Sequence, residues 1–236
     1  MKKISILYLC IFLALGMNAQ NVIGAWEAYT TMDTGEKIRS VVIFAEGYQV
    51  ITSYNADTGA FISSNGGTWS LEGDMMTEMV EFHTDSPESV GTKARFKVAI
   101  TDSTLQIVGS PTKLTRIDDG SPGKLQGAWL MSGRKRDGKI QTRDTSRPRK
   151  TMKILSGTRF QWIAYNTETK QFMGTGGGTY TTVDGKYTEN IEFFSRDDSK
   201  VNRSLEFTFE LIDGAWHHSG LSSKGQPIYE IWSVRK

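Results

Sequence analysis

The sequence predicts an all-β protein of two tandem eight-stranded antiparallel up-and-down barrels behind a signal peptide. Three observations lead there: the chain repeats itself at a fixed offset, its apolar residues alternate with period two, and its first 19 residues have the layout of an export leader. With 236 residues, 38% hydrophobic and 23% charged, the chain is long enough for two domains with real cores, and its composition excludes disorder and collagen. Lysine plus arginine total 28 against 26 acidic residues, so no whole-molecule field points to nucleic acid.

The leader comes first. Residues 1–19 open with Lys2 and Lys3, run apolar from Ile4 to Leu15 and end at Ala19, which reads as a secretory signal peptide cleaved near Ala19 and places the mature chain in the periplasm or outside the cell. The apolar run is shorter than the roughly 20 residues a membrane span needs, and no later segment approaches that length. Cys10 is the only cysteine, and Leu7-Tyr8-Leu9 before it lacks the small residues of a lipoprotein cleavage box. Cleavage takes the formal charge from +2 to 0 and removes the thiol, so disulfides, thiolate chemistry and cysteine metal sites are excluded from the mature form.

Beyond the leader, the repeat organises the chain. Gly24-Ala25-Trp26 recurs as Gly127-Ala128-Trp129, and from residue 54 to 109 an offset of 111 holds without a gap. It maps Tyr54-Asn55 on Tyr165-Asn166, Phe61 on Phe172, Gly66-Gly67 on Gly177-Gly178, Thr77-Glu78 on Thr188-Glu189 and Glu81-Phe82 on Glu192-Phe193. The Gly-Ala-Trp pair is offset by only 103, so the second copy carries 8 extra residues after its first strand. Gly120, Pro122 and Gly123 mark the joint, giving barrel one at 20–118, a linker at 119–124 and barrel two at 125–236.

Each copy reads as strands. Leu205, Phe207, Phe209 and Leu211 alternate with polar residues, and in the first copy Ala94, Phe96, Val98 and Ile100 alternate with Arg95, Lys97 and Ala99, so one face is dry and one wet. In the second copy strands are expected at 127–133, 151–155, 158–165, 171–182, 186–195, 203–212, 215–220 and 227–235, with hairpin turns at Asp184-Gly185 and Asp213-Gly214. Eight such strands close into a barrel that removes exposed edges and can hold one small ligand; a sandwich is the alternative. The glycine pairs inside strands predict bulges or sharp bends, because neither opens a helix or precedes a Lys-Ser or Lys-Thr pair as a phosphate loop does.

A Gly-x-Trp near the start of an eight-stranded unit, with a basic residue on its closing strand, resembles the lipocalin and wider calycin superfamily. The leader, the tandem layout and the stretch Tyr187 to Glu192 look similar to secreted lipocalin-like domains of unknown function from Bacteroidota. The resemblance implies that Trp26 and Trp129 close the barrel floors, each beneath a cation. Arg116 matches that cation in copy one, and Arg235 is its substitute in copy two, where Ser233 holds the aligned position. It implies no particular chemistry.

Candidate sites emerge from faces and charges. Alternation groups Glu78 with Val80 and Phe82, and Glu189 with Ile191 and Phe193; if those faces look inward, each barrel holds a carboxylate that must be paired, hydrogen-bonded or protonated. Residues 134–150 carry Arg134, Lys135, Arg136, Lys139, Arg143, Arg147, Arg149 and Lys150 against Asp137 and Asp144, a local charge of +6 expected to form a basic lid over barrel two. Trp162 and Tyr180 offer stacking surfaces, although strand periodicity does not settle which way Trp162 points. His217 and His218 are adjacent and face opposite ways, so no metal site is expected, and no cofactor is implied.

The expectation is a non-enzymatic binding protein that holds a small lipophilic, anionic or carbohydrate ligand. Glu189 and Tyr187 would orient it, Arg143, Arg147, Arg149 and Lys150 would attract its charged end, and Trp162 and Tyr180 would stack on it. Two alternatives stand beside this reading: a protein-interaction or inhibitor module with filled lumens, and an isomerase or hydrolase using Glu78 or Glu189 as base. An open apolar cavity beneath the basic segment would favour the first.

Overall fold

The structure, a computed structural model, describes residues 22–121 and 123–236; the leader expected at 1–19 lies outside the described residues. Two closed antiparallel barrels follow one another. The first runs through β1 (Gly24–Thr31), β2 (Lys37–Ala45), β3 (Tyr48–Asn55), β4 (Phe61–Glu72), β5 (Met75–His83), β6 (Lys93–Ile100), β7 (Thr104–Ile107) and β8 (Lys113–Asp118), each pairing with the next and β8 returning to β1. The second comprises β9 (Gly127–Arg136), β11 (Arg149–Leu155), β12 (Arg159–Asn166), β13 (Gln171–Val183), β14 (Lys186–Phe194), β15 (Ser204–Ile212), β16 (Ala215–Leu221) and β17 (Pro227–Val234), closed by β9 pairing with both β11 and β17.

The insertion in the second copy adds a strand that the alternation did not separate. β10 (Lys139–Thr142) folds back on the distal half of β9 through Asp137-Gly138, both at positive φ, the backbone a two-residue hairpin turn requires. β10 is exposed along its whole length and takes no part in closing the barrel.

The glycine pairs are bulges. The ladder slips between Gly66 and Gly67 on β4 and between Gly177 and Gly178 on β13. A Cβ on Gly67 would sit 1.9 Å from the Met79 carbonyl oxygen, and one on Gly178 2.0 Å from that of Asn190, so only glycine fits. Each slip shifts the phase of the facing strand, so Glu81 with Phe82, and Glu192 with Phe193, turn outward while Glu78 and Glu189 stay inward. The grouping of Phe82 with Glu78, and of Phe193 with Glu189, is thereby corrected: simple alternation does not survive a bulge.

What those outward residues meet is the other barrel. Val41, Ile43, Val50, Tyr54 and Phe82 share one buried apolar cluster with Leu130, Met152, Ile154, Ile163, Tyr165 and Phe193. The seam has an approximate two-fold relation that mirrors the repeat. Tyr54 donates to Glu192 (2.7 Å) and Tyr165 to Glu81 (2.5 Å); Tyr54 stacks on Phe193 and Phe82 packs on Tyr165, with ring centroids 5.0 and 5.1 Å apart. Phe61 stacks on its own counterpart, Phe172, at 6.1 Å. Arg39 and Arg159 complete Glu192, and Arg235 completes Glu81, so these carboxylates are paired as well as hydrogen-bonded. Gln161 bridges Thr52, Ser64 and Thr175. The joint is pinned too: the Asp118 carboxylate accepts from Gly120, Ser156, Gly157 and Thr158.

Candidate functional site

Each barrel has an indole at one end. Gly24 and Gly127, at φ +124° and +131°, turn the chain into the first strand, and the indole N–H of the nearby tryptophan donates to the carbonyl four residues back: Trp26 to Val22 and Trp129 to Leu125, both 2.9 Å. The Arg116 guanidinium stacks over Trp26 at 3.9 Å, while its N–H groups donate to Asp102 and Ile23 carbonyls. Arg235 does not do the same for Trp129, which corrects that assignment. The register places Val234 opposite Trp129, and Arg235 just beyond reaches the seam instead, donating to Glu81 (2.7 Å) and Tyr165 (2.8 Å) and covering the Tyr48 ring at 4.1 Å. Trp129 meets Trp216 edge-on at 5.8 Å.

Barrel two encloses a cavity of about 210 Å³ whose wall includes Met131, Lys153, Trp162, Glu189, Ile191, Phe194, Phe207, His218, Glu230 and Trp232. Its inner end is an ion pair inside an aromatic cage. Lys153 Nζ donates to Glu189 Oε1 at 2.7 Å, with the two residues 5% and 4% exposed, and sits 5.0 to 5.9 Å from the ring centroids of Tyr187, Trp216, Trp232 and Phe207. Lys153 reaches this position because β11 alternates: Met152 and Ile154 join the seam, and the residue between them points into the barrel.

A second polar pair lies beside the first. His218 Nδ1 faces Glu230 Oε2 at 3.4 Å, and Trp232 Nε1 donates to the same oxygen at 3.2 Å. Burial, then the Lys153 charge, hold His218 below the ordinary imidazole range, so it is neutral at pH 7. Burial works against ionisation of Glu230, but the His218 hydrogen bond and the Lys153 charge outweigh it and lower its pKa. A neutral imidazole facing a carboxylate carries its proton on Nδ1, so Nε2 is a bare acceptor. That atom is buried and has no hydrogen-bond partner among the described residues.

The candidate residues therefore separate. Glu189 and Trp162 line the cavity, Trp162 packed edge-on to Phe194 at 5.4 Å. Tyr187 lies behind the wall, fully buried; its hydroxyl faces Glu189 without a well-formed hydrogen bond, and burial together with that carboxylate holds its pKa well above the usual phenol range. Tyr180 belongs to the packed base, donating to the Ser156 carbonyl at 2.6 Å, and does not reach the cavity.

Of the basic segment, Arg143 reaches Met131, a residue of the cavity wall. It contacts Met131 Sδ at 3.0 Å, and burial together with the neighbouring Arg149 and Arg134 charges lowers its pKa. Arg149 contacts Met173 Sδ, Arg147 pairs with Asp144 at 3.5 Å, and Lys150 donates to the Thr145 carbonyl. No lid of converging cations results.

Lys153, His218, Glu230, Trp216 and Trp232 are site residues that sequence reasoning missed. The available signal was a lysine at the centre of the apolar run from Met152 to Leu155, a position where period-two alternation demands burial on both faces.

Barrel one has a cavity of about 250 Å³, lined by Val42, Phe44, Gln49, Ile51, Asn65, Met76, Glu78, Phe96, Val98, Leu105, Ile107 and Leu114. Among the described residues Glu78 is the one charged residue in that lining, and burial pushes its carboxyl up to about 7.

A family model described as a domain of unknown function (DUF4488) matches residues 124–234. That span is the second barrel, and the match ends short of the seam arginine, Arg235. A comparison with curated proteins finds no match.

Proposed function

We propose that this chain is an exported, non-enzymatic binding protein whose second barrel holds a small amphipathic molecule, with a lipocalin-like use of the fold. The observation that carries the reading is an aromatic cavity whose wall presents a buried ion pair and the neutral imidazole of His218, whose Nε2 is buried and unpaired among the described residues. A buried acceptor left without a partner costs on the order of 1–3 kcal/mol, and a small rotation of the ring would let a ligand hydroxyl or N–H recover it. Trp162, Phe194, Phe207 and Trp232 supply apolar contact, and Arg143, packed on the wall residue Met131, supplies attraction for an anionic end. The volume is below the roughly 300–1,000 Å³ of pockets for drug-sized molecules, which favours a small ligand. The leader at 1–19 supports action in the periplasm or outside the cell.

Native mass spectrometry of exported protein, combined with calorimetry using small aromatic alcohols, phenols and amphipathic acids, tests this. Binding is expected to disappear in Ile228→Trp, which fills the cavity, and to weaken in His218→Phe, which removes the acceptor and keeps the ring. Absence of any bound small molecule, with affinity for a protein partner that Ile228→Trp leaves intact, would overturn the reading in favour of an interaction module.

A further inference from the structure

The first barrel carries an independent site. We infer that its cavity binds a lipophilic primary amine, with the ammonium on Glu78 and the alkyl chain against Val42, Phe44, Phe96 and Leu114.

The two copies differ at one decisive position. The offset of 111 that maps Glu78 on Glu189 also maps Val42 on Lys153. In barrel two the carboxylate is answered from within the chain, by an ammonium at 2.7 Å held among aromatic rings. In barrel one the residue that would carry that ammonium is a valine, while the carboxylate remains, set in a wall of mostly smaller apolar side chains. The cavity thus keeps a carboxylate without the internal cation that answers its counterpart, and its volume is about 250 Å³. An ammonium on an alkyl stem is the group that would answer it.

Among the described residues that line the cavity, no other carries a charge. On either side of Glu78 in the sheet stand Trp69 on β4 and Ala94 on β6, and the remaining polar lining residues, Gln49 and Asn65, are amides that do not titrate. The Trp69 N–H is spent on the Ala45 and Tyr48 carbonyls. Burial makes the lone carboxyl reluctant to ionise, holding it near 7, so binding a cation requires the proton to leave. The amine, with an ordinary alkylammonium pKa near 10.4, stays charged throughout. Association therefore strengthens as pH rises through 7 and levels off above it.

The test uses the intact protein, n-octylamine as probe and n-octanol as its uncharged counterpart, monitored by calorimetry and by the Met76 methyl resonance, which reports on this cavity alone. Octylammonium is expected to shift Met76 and to bind about tenfold more tightly at pH 8 than at pH 6, tracking the ionised fraction of a group titrating near 7. Octanol should show no such gain. Glu78→Gln should remove the pH dependence and weaken the amine at least about tenfold at pH 8. Val42→Lys, which recreates the internal pair of barrel two, should abolish amine binding. The inference is overturned if octylammonium leaves Met76 unmoved at millimolar concentration, if its affinity is flat between those pH values, or if Val42→Lys binds it undiminished. Ile228→Trp, which fills the other barrel, should leave amine binding unchanged, so the two sites succeed or fail separately.

Discussion

The interiors of the two barrels differ far more than the surfaces that join them. Around the shared carboxylate, Val42, Met76, Leu105 and Ile107 of the first barrel stand where the second has Lys153, Tyr187, Trp216 and His218. The sheet register adds a fifth exchange: Leu114 faces Leu105 as Trp232 faces Trp216. Across the seam, by contrast, Tyr54 and Tyr165, Phe61 and Phe172, Glu81 and Glu192, Phe82 and Phe193 are retained in type and used reciprocally. An interface built on an approximate two-fold constrains both copies at once, because wherever two residues meet across it their counterparts meet as well. A lumen answers to no such condition, and its contents can change one barrel at a time.

The largest test converts one interior toward the other. Lys153→Val leaves Glu189 buried in an aromatic cage with no cation, and removing one partner of a buried pair costs about 3–5 kcal/mol. Lys153→Val combined with Glu189→Val removes both charges and should recover most of that loss, since apolar replacement of a whole buried pair is often nearly neutral. Urea denaturation at pH 8 measures both. A single substitution costing under about 1 kcal/mol would show that water, rather than Lys153, satisfies Glu189.

Glu78 gives the next effect, and its sign reverses the usual carboxylate case. Its folded pKa, about 7, lies above the 4.5 of an unperturbed glutamate, so between those values the folded chain binds more protons than the unfolded one. Stability falls as pH rises across that window, and the penalty is complete above about 7. Glu78→Gln removes it. The variant should be more stable than the parent at pH 8, by at most about 3 kcal/mol and less where water enters the cavity, and indistinguishable from it at pH 4. Equal gains at both pH values would mean that ionisation of Glu78 is not what the substitution relieves.

The seam tests the reciprocity. Tyr54→Phe and Tyr165→Phe each remove a hydrogen bond to a carboxylate, an interaction worth about 1.5–3 kcal/mol. Tyr165→Phe should cost more. Among the described residues Glu81 keeps one ion pair, with Arg235, after the loss, and Arg235 loses its own bond to the Tyr165 hydroxyl, whereas Glu192 retains both Arg39 and Arg159. Thermal melts of the two variants rank them; the opposite order would place the weight of the seam on the Glu192 cluster.

The seam was present in the sequence without being recognisable as one. Tyr54, Phe61, Glu81 and Phe82 stood out because they recur at the constant offset, and that constancy is what a self-complementary surface produces. Repetition alone gives no direction, however, and the bulges at Gly67 and Gly178 reversed the direction that alternation assigned to Phe82 and Phe193. The strands and the closed double-barrel architecture were legible because burial on one face imprints period two. The lumen chemistry was legible only in Glu78, Glu189 and Trp162. Lys153, His218 and Glu230 come from three strands and meet only once the barrel closes, and no spacing along the chain encodes that meeting. Net charge misled in the basic segment: Arg147 and Lys150 spend themselves on Asp144 and the Thr145 carbonyl.

The smallest test concerns the two indoles. Trp26 and Trp129 have the same turn glycine and the same hydrogen bond four residues back, yet Trp26 is covered by a guanidinium at 3.9 Å and Trp129 by the edge of Trp216. A partly exposed cation over an indole contributes about 0.5–1 kcal/mol, and an edge-to-face aromatic pair about as much. Arg116→Met keeps the apolar stem over Trp26 while removing the charge and the bonds to the Asp102 and Ile23 carbonyls, both near enough to solvent to be rehydrated. About 1 kcal/mol of destabilisation is expected, with a change in the Trp26 fluorescence. Trp216→Leu, the residue barrel one carries at that position, should cost several times more, because it opens a cavity beside Tyr187 and Trp232 as well as uncovering Trp129. If Arg116→Met proves the costlier of the two, the floor of barrel one depends on its cation rather than on packing, and the two ends are stabilised by different physics.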